Sequence, residues 1–206
     1  MPKFKGARGK TPPERITELM RARRKYVFSR PFVDIVKDFA AKIEQISKTN
    51  INGGSLIVEA HSYPNCRVIL KRKNFILASA EAEIRRHEGK LELIIENIQG
   101  WLPYKTEYKQ FMKENKNVPW NFALVRSMVN AAYESDFDRV LFVDITSTTS
   151  YKHPVVHKDN RRTTYNIATV RQVMKQLYEK TRAACDFDST KEQWHNKTRY
   201  WIREFP

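Results

Sequence analysis

Cysteine is scarce in this chain. Only Cys66 and Cys185 occur, far apart and outside any C-x-x-C pair. That argues against a disulfide framework or a zinc ribbon, and fits two buried thiols in a reducing compartment. Long apolar runs are missing as well. No stretch approaches the roughly 18 uninterrupted apolar residues that a bilayer-spanning helix requires. The cationic first segment has no apolar block behind it, so no secretory signal is read there, and the expectation is a soluble, cytoplasmic protein. A P-loop, a Ser or Cys nucleophile motif, zinc-knuckle spacing, internal repeats and low-complexity tracts are all lacking.

The chain has 206 residues, 41% hydrophobic and 12% aromatic. That length suits one domain that needs no covalent or metal staple. The net charge of +15 is unevenly spread. Residues 1–30 hold ten Lys and Arg against two Glu, residues 31–150 hold sixteen against fifteen, and residues 151–206 hold twelve against six. A neutral middle between basic ends is the pattern expected when terminal segments touch phosphates, so nucleic acid or another polyanion is the expected partner.

Residues 1–10 read as a flexible basic arm and 11–206 as one α+β domain, with a helical pair over 11–50 and sheet and helices over 55–206. Thr11-Pro12-Pro13-Glu14 has the chemistry of a helix start. The polar side of that helix carries Arg21, Arg23, Arg24 and Lys25, candidate phosphate contacts. After Pro31, the residues Phe32, Ile35, Val36, Phe39, Ile43 and Ile46 recur at helical spacing up to Asn50. Strand-like runs follow at 56–60, 66–71, 75–84 and 91–98, joined by turn chemistry short enough to imply an antiparallel meander. Helices are expected over 104–115 and 119–135. Arg139–Ile145 is a continuous apolar run typical of a strand buried on both faces. A polar loop over 146–162, a helix over 163–184 and a strand over 199–203 complete the order.

That order resembles the GNAT acyltransferases. So do Leu177-Tyr178-Glu179-Lys180 in the last long helix, Asp186-Phe187 beyond it, and Phe137-Asp138-Arg139-Val140-Leu141-Phe142-Val143 before it. The resemblance covers residues 66–205. It implies a mixed, largely antiparallel sheet packed by helices, acetyl-CoA as cofactor, an amine as acceptor, and Tyr178 as the group that protonates the departing CoA thiolate. The chain departs from the family after the fourth strand. There the family's Gln/Arg-x-x-Gly-x-Gly/Ala loop holds the cofactor pyrophosphate, whereas this chain has Gln99-Gly100-Trp101-Leu102-Pro103. The helix start at Pro119-Trp120-Asn121 is the substitute, since helix N-termini attract anions. Trp120 and Asn121 are therefore the candidate cofactor contacts.

The loop after Asp144 gathers further candidates. Asp144, His153 and His157 are potential acid–base groups, and Lys152, Lys158, Arg161 and Arg162 are potential phosphate contacts. A metal site on His153, His157 and Asp159 is not read, because Pro154 opposes the helix that such spacing needs. Near the C-terminus, alternation puts Tyr200 and Ile202 on one strand face and Trp201 on the other. Tyr200 is expected in the core, and Trp201 is the candidate for stacking on unpaired bases.

Three functions are open at this stage. The first is a basic GNAT-like acyltransferase that acts on or docks to nucleic acid. The second is a non-catalytic nucleic-acid-binding or assembly protein, and the third an unrelated enzyme using the 146–162 loop. A sheet that opens between the strands at 91–98 and 139–145 favours acetyl-CoA; a filled sheet favours the non-catalytic reading.

Overall fold

The computed structural model describes residues 30–60, 65–100, 105–152, 167–195 and 197–206. The basic arm and the helix expected from Thr11 lie outside these residues. Pro31, extended at φ −57° and ψ 145°, opens α1 (Phe32–Asn50), with Asp34 in the first turn and Lys48 in the last, each favourable to the helix dipole. Ile35, Val36, Phe39, Ile43 and Ile46 form its buried stripe, as their spacing predicts. Gly53, at φ +64°, then turns the chain into the sheet.

The meander consists of β1 (Ser55–Ala60), β2 (Asn65–Arg72), β3 (Phe75–His87) and β4 (Lys90–Gly100), each antiparallel to the next. Glu88 and Gly89 join β3 to β4 with positive φ at both positions, 50° and 73°, the geometry that lets a two-residue hairpin follow the sheet twist. The crossover from β4 runs through α2 (Lys105–Glu114) and α3 (Trp120–Glu134) to β5 (Arg139–Val143), which therefore lies parallel to β4. A 3-10 turn (Ile145–Ser147), a short helix α4 (Thr149–Lys152) and the long α5 (Ile167–Ala184) lead to the hairpin of β6 (Asp188–His195) and β7 (Thr198–Glu204). The seven strands lie in the order β1-β2-β3-β4-β5-β7-β6. This is an α+β fold with a mixed, largely antiparallel sheet packed by helices.

Three details differ from the sequence reading. β5 stops at Val143 because the Asp144 side chain accepts a hydrogen bond from Thr146 N–H and caps the 3-10 turn. The stretch after it, expected to be loop, begins with that turn and α4. β6 was not expected at all: its sequence, DSTKEQWH, is polar and lacks alternation.

The two sheet faces are built differently. Ala78, Ala80, Ala82 and Ile84 of β3, with Leu93 and Ile95 of β4 and Phe142 of β5, belong to the core shared with α1, α3 and Tyr178 of α5. By alternation, Ser79, Glu81, Glu83, Arg85 and His87 of β3 face the other way, with Glu92 and Arg139 beside them in the ladder. This second face is concave. Gln193 of β6 comes within 3.5 Å of His87 on β3, although β4, β5 and β7 lie between them in the sheet.

Candidate functional site

β4 and β5 pair over only four residues, from Glu92↔Arg139 to Ile95↔Phe142. β4 then continues to Gly100 while β5 ends at Val143, so Glu96–Gly100 has no β5 partner. The register between β3 and β4 slips at the same place, with Ala82 opposite Ile95 but Glu81 opposite Asn97. Glu96 is thus the extra residue of a β-bulge, a device that bends a strand and redirects its side chains. The sheet opens at the bulge.

Tyr178 of α5 fills the opening. Its ring stacks on Phe142 at 5.4 Å, and its hydroxyl accepts from Ile98 N–H at 2.9 Å and donates to Asn97 Oδ1 at 3.3 Å. Burial raises its pKa to about 12, opposed by the Ile98 bond and aided by the charge of Glu81, so the phenol keeps its proton through the ordinary pH range.

On the concave face three carboxylates lie near one another, and one of them, Glu81, acts on the Tyr178 hydroxyl by charge. Glu81 and Glu83 project from β3, and Glu96 from the bulge. The pKa of Glu96 is raised by desolvation first, then by Glu83 and Glu81, with Arg85 opposing. Tyr200 of β7, raised mainly by burial, also senses Glu96, Glu83 and Arg85, which places it on the same rim. Beneath them, Glu92 is fully buried and accepts from Arg85 Nε at 2.6 Å and from Arg139 Nε at 2.6 Å and Nη2.

The other candidates fall elsewhere. Asp144 is buried and fully engaged. One oxygen accepts from Thr146 N–H and hydroxyl at 3.0 and 2.8 Å, and the other from Arg199 Nε at 2.7 Å and Nη2. Such a carboxylate ties β5 to β7. Asn121 is buried between helices, donating to Thr181 Oγ1 at 2.6 Å. Trp120 lies against the end of β4, where a Cβ on Gly100 would sit 2.7 Å from its ring, so only glycine fits beneath the indole. Trp201 lies in the core, not on the surface, with Phe142 at 6.1 Å and the Arg182 guanidinium 5.5 Å over its ring; both faces of the sheet are covered at this point, so alternation alone misplaces it. Lys152 is exposed at the end of α4. Arg21, Arg23, Arg24, Lys25, His153, His157, Lys158, Arg161 and Arg162 lie outside the described residues. Both cysteines are free and buried, with pKa values raised to about 12 for Cys66 and about 11 for Cys185, chiefly by desolvation, which suits inert thiols.

Of the residues singled out from sequence, Tyr178 alone among the described ones stands at the opening. Glu81, Glu83, Glu96 and Arg85 were missed. Charged residues at alternate positions of an otherwise apolar strand were the available signal, and they read as an ordinary solvated face.

No protein-family model matches the sequence, and no curated protein matches it. Among solved structures, a chain of the NatC complex bound to Gag peptide and CoA is similar, covering 82% of this chain and 92% of its own length, at 10% identity and a TM-score of 0.33. At that level the likeness carries no information about the site.

Proposed function

We propose that this protein transfers an acyl group from acetyl-CoA to an amine, at the place where β4 and β5 part. The observation that carries this reading is a proton-holding phenol seated in a gap of the sheet, beside unpaired strand edge on one side and three carboxylates on the other. The cofactor fits in part. The edge of β4 over Glu96–Gly100, which has no β5 partner and where Tyr178 takes the Ile98 N–H, suits an amide-bearing arm at its remaining groups, because an extended chain can add to an exposed edge through main-chain hydrogen bonds. The first turn of α3 contains no acidic residue and presents backbone N–H groups suited to phosphate, although no glycine-rich cradle precedes it. Acetyl-CoA would supply an activated acyl thioester there.

The chain's own groups divide the remaining work. Glu81, Glu83 and Glu96 draw an ammonium towards the gap by charge. Glu96, whose pKa is raised, holds a proton more readily than an ordinary glutamate and can take one from that amine. Tyr178 Oη, fixed by Ile98 and Asn97, holds the proton that a leaving thiolate needs. Free thiol accumulating only when acetyl-CoA and an amine are both present is the result that tests this reading.

The basic ends support a second element of the proposal, docking on a nucleic acid or similar polyanion. Removing residues 1–30 should weaken binding to a DNA or RNA oligonucleotide and flatten its salt dependence, since fewer counterions are displaced. Equal affinity and equal salt slope for the shortened and full chains would remove the arm from the account.

A further inference from the structure

Two guanidinium groups share one carboxylate on the concave face. Arg85 and Arg139 are both nine-tenths or more buried, and Glu92 is the one carboxylate hydrogen-bonded to either among the described residues. A buried cation in excess of its counter-charge is costly unless something compensates it. The imbalance falls on Arg85. Its Nε is used by Glu92, whereas Nη1 and Nη2 are buried and lack any hydrogen-bond partner among the described residues. Arg85 acts by charge on Glu96, as Glu83 does, yet neither carboxylate bonds Arg85 among the described residues. Across the curl of the sheet, Gln193 Oε1 is buried and also without a partner among the described residues. Unmet donors on a cation therefore stand beside carboxylates that attract a cation.

We infer that the acceptor is an amine that also carries an anionic group, a carboxylate in the simplest case, held by the two free Nη atoms of Arg85. This deepens the acyl-transfer reading and rests on it for the word acceptor, though the binding it describes does not. Fork-like donors suit a carboxylate, which can take both hydrogens at once. Spacing narrows the class. Glu81, beside Tyr178, and Arg85 lie on one strand face with Cα atoms about 13 Å apart by strand rise, and the Arg85 side chain spans only part of that distance. An α-amino acid, whose charges are separated by a single carbon, is too short. A dipeptide or an ω-amino acid reaches.

The test compares ligands that differ in one charge. Affinities of the full chain for glycylglycine, glycylglycinamide, glycine and butylamine are measured from the concentration dependence of the melting temperature, without cofactor. Glycylglycine should bind about 10- to 100-fold more tightly than its amide, the range for hydrogen bonds to a charged group. Glycine should bind no better than the amide. Arg85→Gln should erase the preference by weakening the acid alone, leave butylamine unchanged, and raise KM for glycylglycine rather than lower kcat. Equal affinity of the wild-type chain for acid and amide, or no binding of either, would overturn the inference, and so would a preference that survives Arg85→Gln. Should Arg85→Gln fail to fold, the wild-type comparison decides alone, with Arg85→Lys as the milder variant. Turnover of acid and amide at equal efficiency would sink this inference and leave acyl transfer standing. A clear acid preference without thiol release from any amine would do the reverse.

Discussion

Under the proposed acyl transfer, replacing Tyr178 by Phe is expected to lower kcat by about 100-fold or more, the low end of what a positioned proton donor contributes, with acetyl-CoA binding unchanged. The ring remains on Phe142 and the apolar contacts persist; what is lost is the hydroxyl that bonds Ile98 and Asn97. Because that hydroxyl satisfies a buried backbone N–H, the variant also loses about 1–3 kcal/mol of stability. The two effects separate when turnover is measured well below the variant's melting temperature. A kcat within a few-fold of wild type, together with the stability loss, would make Tyr178 a core residue and nothing more.

Glu92→Ala has the larger structural effect. It leaves Arg85 and Arg139 buried with their common carboxylate gone, and removing one partner of a buried ion pair typically costs about 3–5 kcal/mol. For a chain of this size, each kcal/mol moves the melting temperature by about 2–4 °C, so a fall of roughly 6–20 °C is expected. A thermal melt read by far-UV circular dichroism checks it. A loss of less than about 1 kcal/mol, the size of an exposed pair, would mean that the shared carboxylate contributes little to holding β3, β4 and β5 together.

Much of this fold was legible in the residues, for reasons that differ between elements. The stripe of α1 and the apolar run of β5 announce burial directly, and the short turns of the meander fix neighbours. β6 was not legible, because an edge strand held by β7 alone needs no apolar face of its own; Trp194 on it is exposed. The apolar pattern of β3 runs out at Ile84, but in the fold Arg85, Arg86 and His87 continue the ladder opposite Glu92, Leu91 and Lys90. The site divides the same way. Tyr178 stood out through the resemblance of its helix. Glu81, Glu83 and Glu96 become a group only through strand pairing and a one-residue bulge, neither of which periodicity reveals. Asp144 shows the converse error: a carboxylate at the end of a central strand has the position of a catalytic group, and here its oxygens are consumed by Thr146 and Arg199.

The central claim is that the gap between β4 and β5 accepts acetyl-CoA, and the melting temperature of the full chain in millimolar acetyl-CoA tests it most directly. A ligand that binds only the folded state stabilises it by about 2.7 kcal/mol at a hundred times its Kd, so a concentration-dependent rise of roughly 5–10 °C is predicted. Tyr178→Phe should show the same rise, and Gly100→Trp, which crowds the end of β4 against Trp120, should not. A wild-type melting temperature that stays constant up to millimolar acetyl-CoA would contradict the account and leave a filled sheet that serves only as scaffold.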